Sequence, residues 1–190
     1  MHSLTKYLGG HSDISAGAAV FGEQHKEKIW NQAVNLGGNL DTRACYLLDR
    51  SIKTLAVRVE KQNQNAMEVA SWLEANHNVI NVHYPGLESH PNHELARSQM
   101  TGFGGMLSFE LELDQDGADN FVRSLLLIQP VISLGGVETI ISSPAKTSHS
   151  LLSVEERRQM GISEGLLRLS VGIESASDLI QDLDTALSKL

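Results

Sequence analysis

The chain contains 190 residues, of which 41% are hydrophobic and 20% are charged, and its formal net charge is −8. This composition is typical of a globular protein with an ordinary core, and an acidic chain without a basic block offers no surface for nucleic-acid phosphates. The residues include no apolar run of about 18 or more and no basic-then-apolar leader, so the sequence predicts neither a membrane span nor a signal peptide.

The first elements after the N-terminal segment are predicted to be a strand and a helix. Residues 16–21 are small or branched, as in a short buried strand. Residues 23–34 have helical spacing, with Ile29 and Trp30 on the apolar side. A break with a glycine pair follows this helix, and Asp41 is then a suitable N-cap for a second helix.

That second helix is predicted to be long. Apolar residues recur in steps of three, four and seven from Leu48 to Leu73, and neither glycine nor proline interrupts residues 42–76. The pattern predicts one helical face over about eight turns, long enough to connect two domains. Cys45, the single cysteine, lies among apolar neighbours and is predicted to be a buried helix residue.

The second half of the chain is predicted to alternate strands and helices. The clearest strand is 106–111, in which Leu107, Phe109 and Leu111 alternate with more polar residues. The other predicted elements are strands at 79–84, 130–134 and 166–171, and helices at 90–100, 116–127 and over the C-terminal residues from about 178. This alternation predicts an α/β fold.

The N-terminal segment carries a chemical pattern around Lys6. Ser3 and Thr5 precede the lysine, and a glycine pair followed by residues 11–13 (His-Ser-Asp) comes after it. In an extended segment the two hydroxyls share a face opposite Lys6. Lysine offers a primary amine on a long stem, a group that can react with an aldehyde.

This segment resembles the cofactor-lysine signature of the pyridoxal phosphate enzymes of cysteine and methionine metabolism, the trans-sulfuration family. Further blocks are similar to family blocks in the same order, and together they are highly specific. They lie at 40–41 with 50–55, 84–87, 89–91 with 93–96, 102–109, 133–138 and 167–174.

The resemblance implies an α/β fold: the end of an aspartate aminotransferase-like (fold type I) large domain, followed by a small C-terminal domain with a mainly antiparallel sheet. It predicts that residues 1–75, with the long linking helix, belong to the large domain and residues 76–190 form the small one. It implies elimination or replacement at the β or γ carbon of sulfur amino acids, as in cystathionine γ-synthase, cystathionine lyases and methionine γ-lyase.

The resemblance also implies roles for individual residues. Lys6 is the catalytic residue that binds pyridoxal phosphate covalently, and the hydroxyls of Ser3 and Thr5 bind its phosphate. Arg168 grips the substrate carboxylate, for which the planar guanidinium fork is well suited. Ser133 lies near that carboxylate, and Ser148 retains a hydroxyl where many relatives have threonine.

Two patterns bear on specificity and on metals. Ile132 stands where many γ-lyases and γ-synthases have a glutamate that holds the distal amino group of cystathionine, so γ-specific handling of that substrate is not expected. His83, His90 and His93, together with Glu94, have side chains that can bind a metal, but His90 and His93 flank the start of a short predicted helix after a proline, a stretch that the resemblance implies is structural. No metal site is predicted.

The position of Lys6, as only the sixth residue, predicts that the chain is a fragment. In the family, the acid at the pyridine nitrogen and the phosphate-binding loop lie upstream of the lysine. One hypothesis is therefore an enzyme fragment that is active when an N-terminal half completes it, a second is a non-catalytic oligomerising or binding domain, and a third is a piece of an intact enzyme. A sulfur amino acid, a complementing half and a second copy are the expected partners, and the lone cysteine favours a cytoplasmic location.

Overall fold

The computed structural model describes all 190 residues, and the chain divides into two compact units, Met1–Ala56 and Val57–Leu190. The division falls in the first turn of the helix Leu55–Glu74. These two units are defined by contacts within this chain. The boundary predicted after residue 75 is a different one, because it separates the large and small domains of the family fold. That boundary therefore stays a prediction. None of the helices is long and apolar enough to cross a membrane.

The first unit begins with a two-stranded antiparallel ladder. Strand β1 (His2–Ser3) pairs with β2 (Gly17–Ala18), and a kinked helical turn over Leu4–Leu8 follows β1. The strand predicted over 16–21 is therefore only two residues long, and it is exposed or half-buried rather than buried. Small residues permit such close pairing, but two residues bury little surface.

Helices α1 (Lys26–Leu36) and α2 (Thr42–Ile52) complete this unit. Asp41 caps α2 as predicted, because its carboxylate accepts the backbone N–H groups of Arg43 and Ala44 at 3.0 Å. Trp30 is 67% exposed and Cys45 is also exposed, so the burial predicted for the cysteine is wrong. Helix α2 packs on the lysine segment through the C-terminal end of the helix, where Ser51 is buried. Cys45 lies nearer the N-terminal end of α2 and stays exposed.

The predicted continuous helix over 42–76 is interrupted. Helix α3 (Leu55–Glu74) starts anew after Lys53 and Thr54. The Thr54 hydroxyl and the Thr54 N–H both donate to the carbonyl of Ser51, at 3.1 and 3.2 Å. A threonine side chain that satisfies a nearby carbonyl competes with the helical ladder, and it ends α2 here without glycine or proline.

The second unit is a five-stranded sheet with helices. Its strands lie in the order β3-β4-β7-β6-β5, with three antiparallel pairs and one parallel pair, β5 with β6. The α/β class and the mainly antiparallel sheet are confirmed, and the sheet is mixed. After α3, the elements are β3 (Val79–His83), α4 (His93–Gln99), β4 (Met106–Leu111), α5 (Gln115–Ser124), β5 (Gln129–Pro130), β6 (Ile140–Ser142), α6 (Val154–Gln159), β7 (Leu166–Ser170) and α7 (Ala176–Leu187).

The core of this unit lies between one face of the sheet and the helices α3, α5 and α7. On β4 the predicted alternation is confirmed, with Leu107, Phe109 and Leu111 buried. Leu167 and Leu169 of β7 are fully buried beside them. Because side chains alternate along a strand, the remaining residues of β7 lie on the opposite face.

Asp182 on α7 anchors the chain that enters the sheet edge. Its carboxylate accepts the N–H groups of three consecutive residues, Leu126, Leu127 and Ile128, at 2.8 to 3.0 Å. These residues lead directly into β5. A carboxylate that satisfies several backbone donors forms charge-assisted bonds, and its removal leaves the buried N–H of Ile128 without a partner.

We therefore expect Asp182→Ala to lower the free energy of unfolding by about 3 kcal/mol, because charge-assisted bonds are lost and a buried N–H is left unsatisfied. Urea denaturation measures the difference. Asp184→Ala is the matched control, since Asp184 lies on the same helix and is exposed. Equal losses of stability in the two variants would contradict the anchoring role.

Candidate active site

The backbone around Lys6 forms a kinked turn. Lys6 has φ −92° and ψ −133°, between helical residues on either side. The N–H of Gly9 donates to the carbonyl of Leu4 at 2.8 Å, and the N–H of Gly10 donates to the carbonyl of Lys6 at 2.7 Å. Gly10 has φ 69°, a conformation that favours glycine. The turn thus fixes the backbone from which the half-buried Lys6 side chain projects.

The hydroxyls beside Lys6 are not arranged as the sequence predicted. The extended segment with Ser3 and Thr5 on one face is wrong, because the chain turns helical after Ser3. Thr5 Oγ1 accepts the N–H of Ala16 at 2.9 Å and donates to the carbonyl of the same residue at 3.3 Å. This bridge holds the turn against the residue that precedes β2, while Ser3 is exposed.

His11 connects the glycine pair to α2. Its Nδ1 lies 2.7 Å from the carbonyl of Gly9 and 3.4 Å from the hydroxyl oxygen of Ser51. A carbonyl can only accept, so the Nδ1 of His11 carries a proton and donates to Gly9. The residues after Lys6 are therefore held on a helix of their own unit.

Arg168 and Ser133, both predicted from sequence, are brought together in the second unit. Arg168 lies on β7 between the buried Leu167 and Leu169, so its side chain is on the face of the sheet opposite the core. Its Nη2 donates to the carbonyl of Ser133 at 3.1 Å. Ser108 and Ser142 occupy the neighbouring register positions on β4 and β6, so small polar residues flank the guanidinium.

Ser148 and Ile132 lie elsewhere in the second unit. Ser148 is exposed, and its hydroxyl hydrogen-bonds Nδ1 of His149 at 2.8 Å rather than Arg168. Ile132 is 73% exposed and lines a cavity of about 340 Å³ at the sheet edge, together with Val122, Ile141 and Lys146 among others. Neither Arg168 nor Ser133 lines this cavity.

Sequence reasoning missed a hydrogen-bonded ladder between the segments 133–139 and 168–174. Above the Arg168–Ser133 bond, the N–H of Gly135 donates to Oγ of Ser170 at 2.8 Å. The N–H of Ile173 donates to the carbonyl of Val137 at 2.9 Å. Both segments belong to blocks that resemble the family, and this shared resemblance was the one available signal that they act together.

The fold is that of two solved cystathionine enzymes, each about twice as long as this chain. The structure is similar to a cystathionine γ-lyase of Micromonospora echinospora, with a TM-score of 0.93 and 36% identity over 98% of this chain and 49% of that one. It is also similar to a cystathionine γ-synthase of Xanthomonas oryzae solved with aminoacrylate and cysteine, with a TM-score of 0.90 and 43% identity over 99% of this chain and 49% of that one.

Residues 1–188 match the family described as Cys/Met metabolism PLP-dependent enzyme, and the chain belongs to that family. It is 44% identical over 190 residues to a cystathionine β-lyase of Lactococcus lactis, covering 100% of this chain and 50% of that protein. A cystathionine γ-lyase of Bacillus subtilis is also 44% identical, over 100% of this chain and 50% of the relative. The chain spans about half the length of the curated relatives it matches. The resemblance to the C-terminal half of these enzymes is thereby confirmed.

The cofactor of this family is pyridoxal phosphate. The lysine segment fits it in part: Lys6 offers a half-buried amine on a fixed turn, and the exposed Ser3 offers a hydroxyl. The Thr5 hydroxyl already donates its proton to the Ala16 carbonyl. At 3.3 Å this bond is longer, and therefore weaker, than the 2.9 Å bond that the hydroxyl accepts from the Ala16 N–H. For Thr5 to donate to a phosphate, it must give up this longer bond.

The bridge from Thr5 to Ala16 can be tested in the free protein. In Thr5→Val the Ala16 N–H loses its acceptor, so we expect its hydrogen exchange to become about fivefold faster, as for loss of a hydrogen bond worth about 1 kcal/mol. Amide exchange followed by NMR measures the rate. Thr5→Ser keeps the hydroxyl and is expected to retain slow exchange; equally fast exchange in both variants would contradict the bridge.

Proposed function

We propose that the chain supplies the cofactor-binding lysine and the substrate-binding arginine of an enzyme acting on sulfur amino acids by β- or γ-elimination or replacement. The observation that carries this proposal is the state of Arg168. It is half-buried, and it donates a single hydrogen bond to the protein, through Nη2 to Ser133. The other N–H groups of its planar fork remain for a substrate carboxylate, which arginine binds through two parallel charge-assisted bonds.

The relatives support a substrate with an α-carboxylate. The similar cystathionine γ-synthase of Xanthomonas oryzae was solved with cysteine, and other relatives are cystathionine lyases and a methionine γ-lyase. All of these amino acids carry the group that Arg168 would bind. Within this class Ile132 disfavours a γ-specific grip on cystathionine, since an apolar side chain cannot pair with an ammonium.

Lys6 has the second role. When bound, pyridoxal phosphate supplies an electron sink for the charge that develops at the substrate Cα. The amine of Lys6 would hold the cofactor through its aldehyde, and once released it would move a proton at Cα as a general base. Ser3 would donate to the phosphate, with Thr5 joining if its bond to Ala16 is exchanged. Ser133 would hold Arg168 in place through its carbonyl, and Ser148 would add a hydroxyl near the substrate.

The remaining partners belong to the same proposal. The relatives are about twice as long as this chain, so the other half of the family fold, in the same polypeptide or a separate one, would provide the rest of the cofactor site. A second copy of the chain is a further partner. We propose a cytoplasmic location on the basis of the single free cysteine.

The cofactor role of Lys6 can be tested by absorbance. Pyridoxal phosphate added to the chain is expected to give the visible band of a lysine-bound cofactor, and Lys6→Ala is expected to abolish it, because no other amine lies on the kinked turn. Lys28→Ala is the matched control, since Lys28 is exposed on α1.

A band that persists in Lys6→Ala, or that disappears equally in Lys28→Ala, would count against Lys6. No band at saturating cofactor would show that this chain does not hold the cofactor alone. That outcome favours the second hypothesis, a folded domain without a complete cofactor site, unless the other half of the family fold restores the band on mixing.

A further inference from the structure

We propose that Thr139 and Glu174 are positioning residues that set the substrate-carboxylate grip of Arg168. This inference rests on the proposed function of Arg168. It extends that function to two residues that do not touch the guanidinium and to the helix that holds them. The two residues join the far ends of the segments 133–139 and 168–174, and we call their hydrogen-bonded group, Thr139, Gly172 and Glu174, the clamp.

Thr139 is the centre of the clamp. It is fully buried, and its N–H donates to Oε1 of Glu174 at 2.6 Å while its hydroxyl donates to Oε2 of Glu174 at 2.8 Å. The same hydroxyl accepts the N–H of Gly172 at 2.8 Å. Both carboxylate oxygens of Glu174 and the hydroxyl of Thr139 are thus paired, and a charged acceptor takes two of the bonds, so the group is both strong and directional.

The polarity of these bonds requires a carboxylate at 174 and a hydroxyl at 139. Thr139 presents two donors to Glu174, and only an ionised carboxylate accepts at both oxygens. In Glu174→Gln one of the two donors meets an amide NH₂ and loses its partner. In Thr139→Val the hydroxyl is replaced by a methyl group, which leaves Gly172 without an acceptor and one oxygen of Glu174 without a donor.

The backbones of the two segments approach too closely to slide past each other. A Cβ built on Gly172 would lie 2.2 Å from the carbonyl oxygen of Val137 and 2.4 Å from Oε2 of Glu174. Only glycine permits this approach. A change in the clamp is therefore transmitted along the segments instead of being absorbed between them.

Helix α3 ties both segments to the same rigid element. The fully buried Gln62 donates through Nε2 to the carbonyl of Gly136 at 2.6 Å. Asn65, also fully buried, donates through Nδ2 to the carbonyls of Gly172 and Glu174 at 3.0 and 2.8 Å. One helix face thus holds the segment that carries Ser133 and the segment that follows Arg168.

The same helix face carries a buried charge. Arg58, one turn before Gln62, is 4% exposed, and burial lowers the pKa of its guanidinium. With Gln62 and Asn65 it makes a polar stripe on a helix whose neighbouring residues are in the core. Buried polar groups are costly unless they are bonded, and the amide NH₂ groups of Gln62 and Asn65 find their acceptors in the two segments.

A change in the clamp affects the bond between Arg168 and Ser133 at the other end of the ladder. The distance between the Ser133 carbonyl and Arg168 Nη2 is set by two backbones that are joined at Gly135, Val137 and Thr139. Loosening the clamp lets the Ser133 carbonyl move away. The guanidinium then loses the one protein acceptor that orients its fork.

NMR of the full chain without any ligand tests the clamp directly. The guanidinium signal of Arg168, identified by its loss in Arg168→Lys, is expected to shift in Thr139→Val, and its protons are expected to exchange with solvent about tenfold faster, as for loss of one hydrogen bond. Thr139→Ser keeps the hydroxyl and is expected to restore both readouts. Glu174→Gln is expected to give an intermediate change.

The matched control is Thr185→Val. Thr185 is an exposed threonine on α7 whose hydroxyl bonds only to its own helix, at Gln181. The clamp is contradicted if Thr139→Val leaves the Arg168 signal as in the wild type, or if Thr185→Val changes it as much. If Thr139→Val does not fold, Glu174→Gln decides by the same signal, and an unchanged signal there contradicts the clamp.

A binding experiment separates this inference from the proposed function. L-methionine and L-methioninamide differ at the carboxylate, and the clamp predicts that Thr139→Val weakens the binding of methionine relative to the amide by about tenfold. If Arg168→Lys leaves the preference for methionine unchanged, or if none exists in the wild type, the proposed function fails. If Arg168→Lys removes the preference and Thr139→Val does not, the clamp fails while the proposed function stands.

Discussion

The alternation of side chains along strand β7 is the constraint on which the second unit depends. Leu167 and Leu169 point into the core because β7 lies between β4 and β6 and is covered by helices on one face. The same alternation requires Arg168 to lie on the opposite face. A shift of one residue in the register would bury the charge and expose two leucines, so the stability of the core and the placement of the arginine are one requirement.

A second constraint is the close backbone approach at Gly172, just after β7. The chain leaves the strand through Gly172, against which the segment after Ser133 packs backbone to backbone. Two polar side chains of α3 and the carboxylate of Glu174 satisfy the groups that this approach buries. A site built in this way is supported by the helix and the sheet, whereas loops alone would leave it loose.

Patterns in the sequence predicted the elements that bury a continuous apolar face. Strand β4 was predicted with its observed bounds, because the alternation of Leu107, Phe109 and Leu111 records which face meets the core. The break at Thr54 was missed, since apolar spacing continues across it while a hydroxyl bond ends the helix. Helical turning after Ser3 was missed for a similar reason: local hydrogen bonds, and not apolar spacing, shape that segment.

Some residues of the candidate site could be predicted from the sequence, and others could not. Lys6, Arg168 and Ser133 were found through motifs, and the structure pairs the last two. The bond between Thr139 and Glu174 joins residues 35 apart in sequence, and no periodicity marks such a pair. Side chains that support a site through hydrogen bonds to backbone become visible only when the fold brings the two segments together.

The proposed function depends most on the identity of the amine that holds the cofactor. Pyridoxal phosphate bound to the chain can be fixed by borohydride reduction, and the modified peptide can then be located by mass spectrometry. We expect the label on Lys6, the half-buried lysine of the kinked turn. A label found instead on exposed lysines such as Lys26 or Lys28, or spread evenly over the lysines, would contradict it.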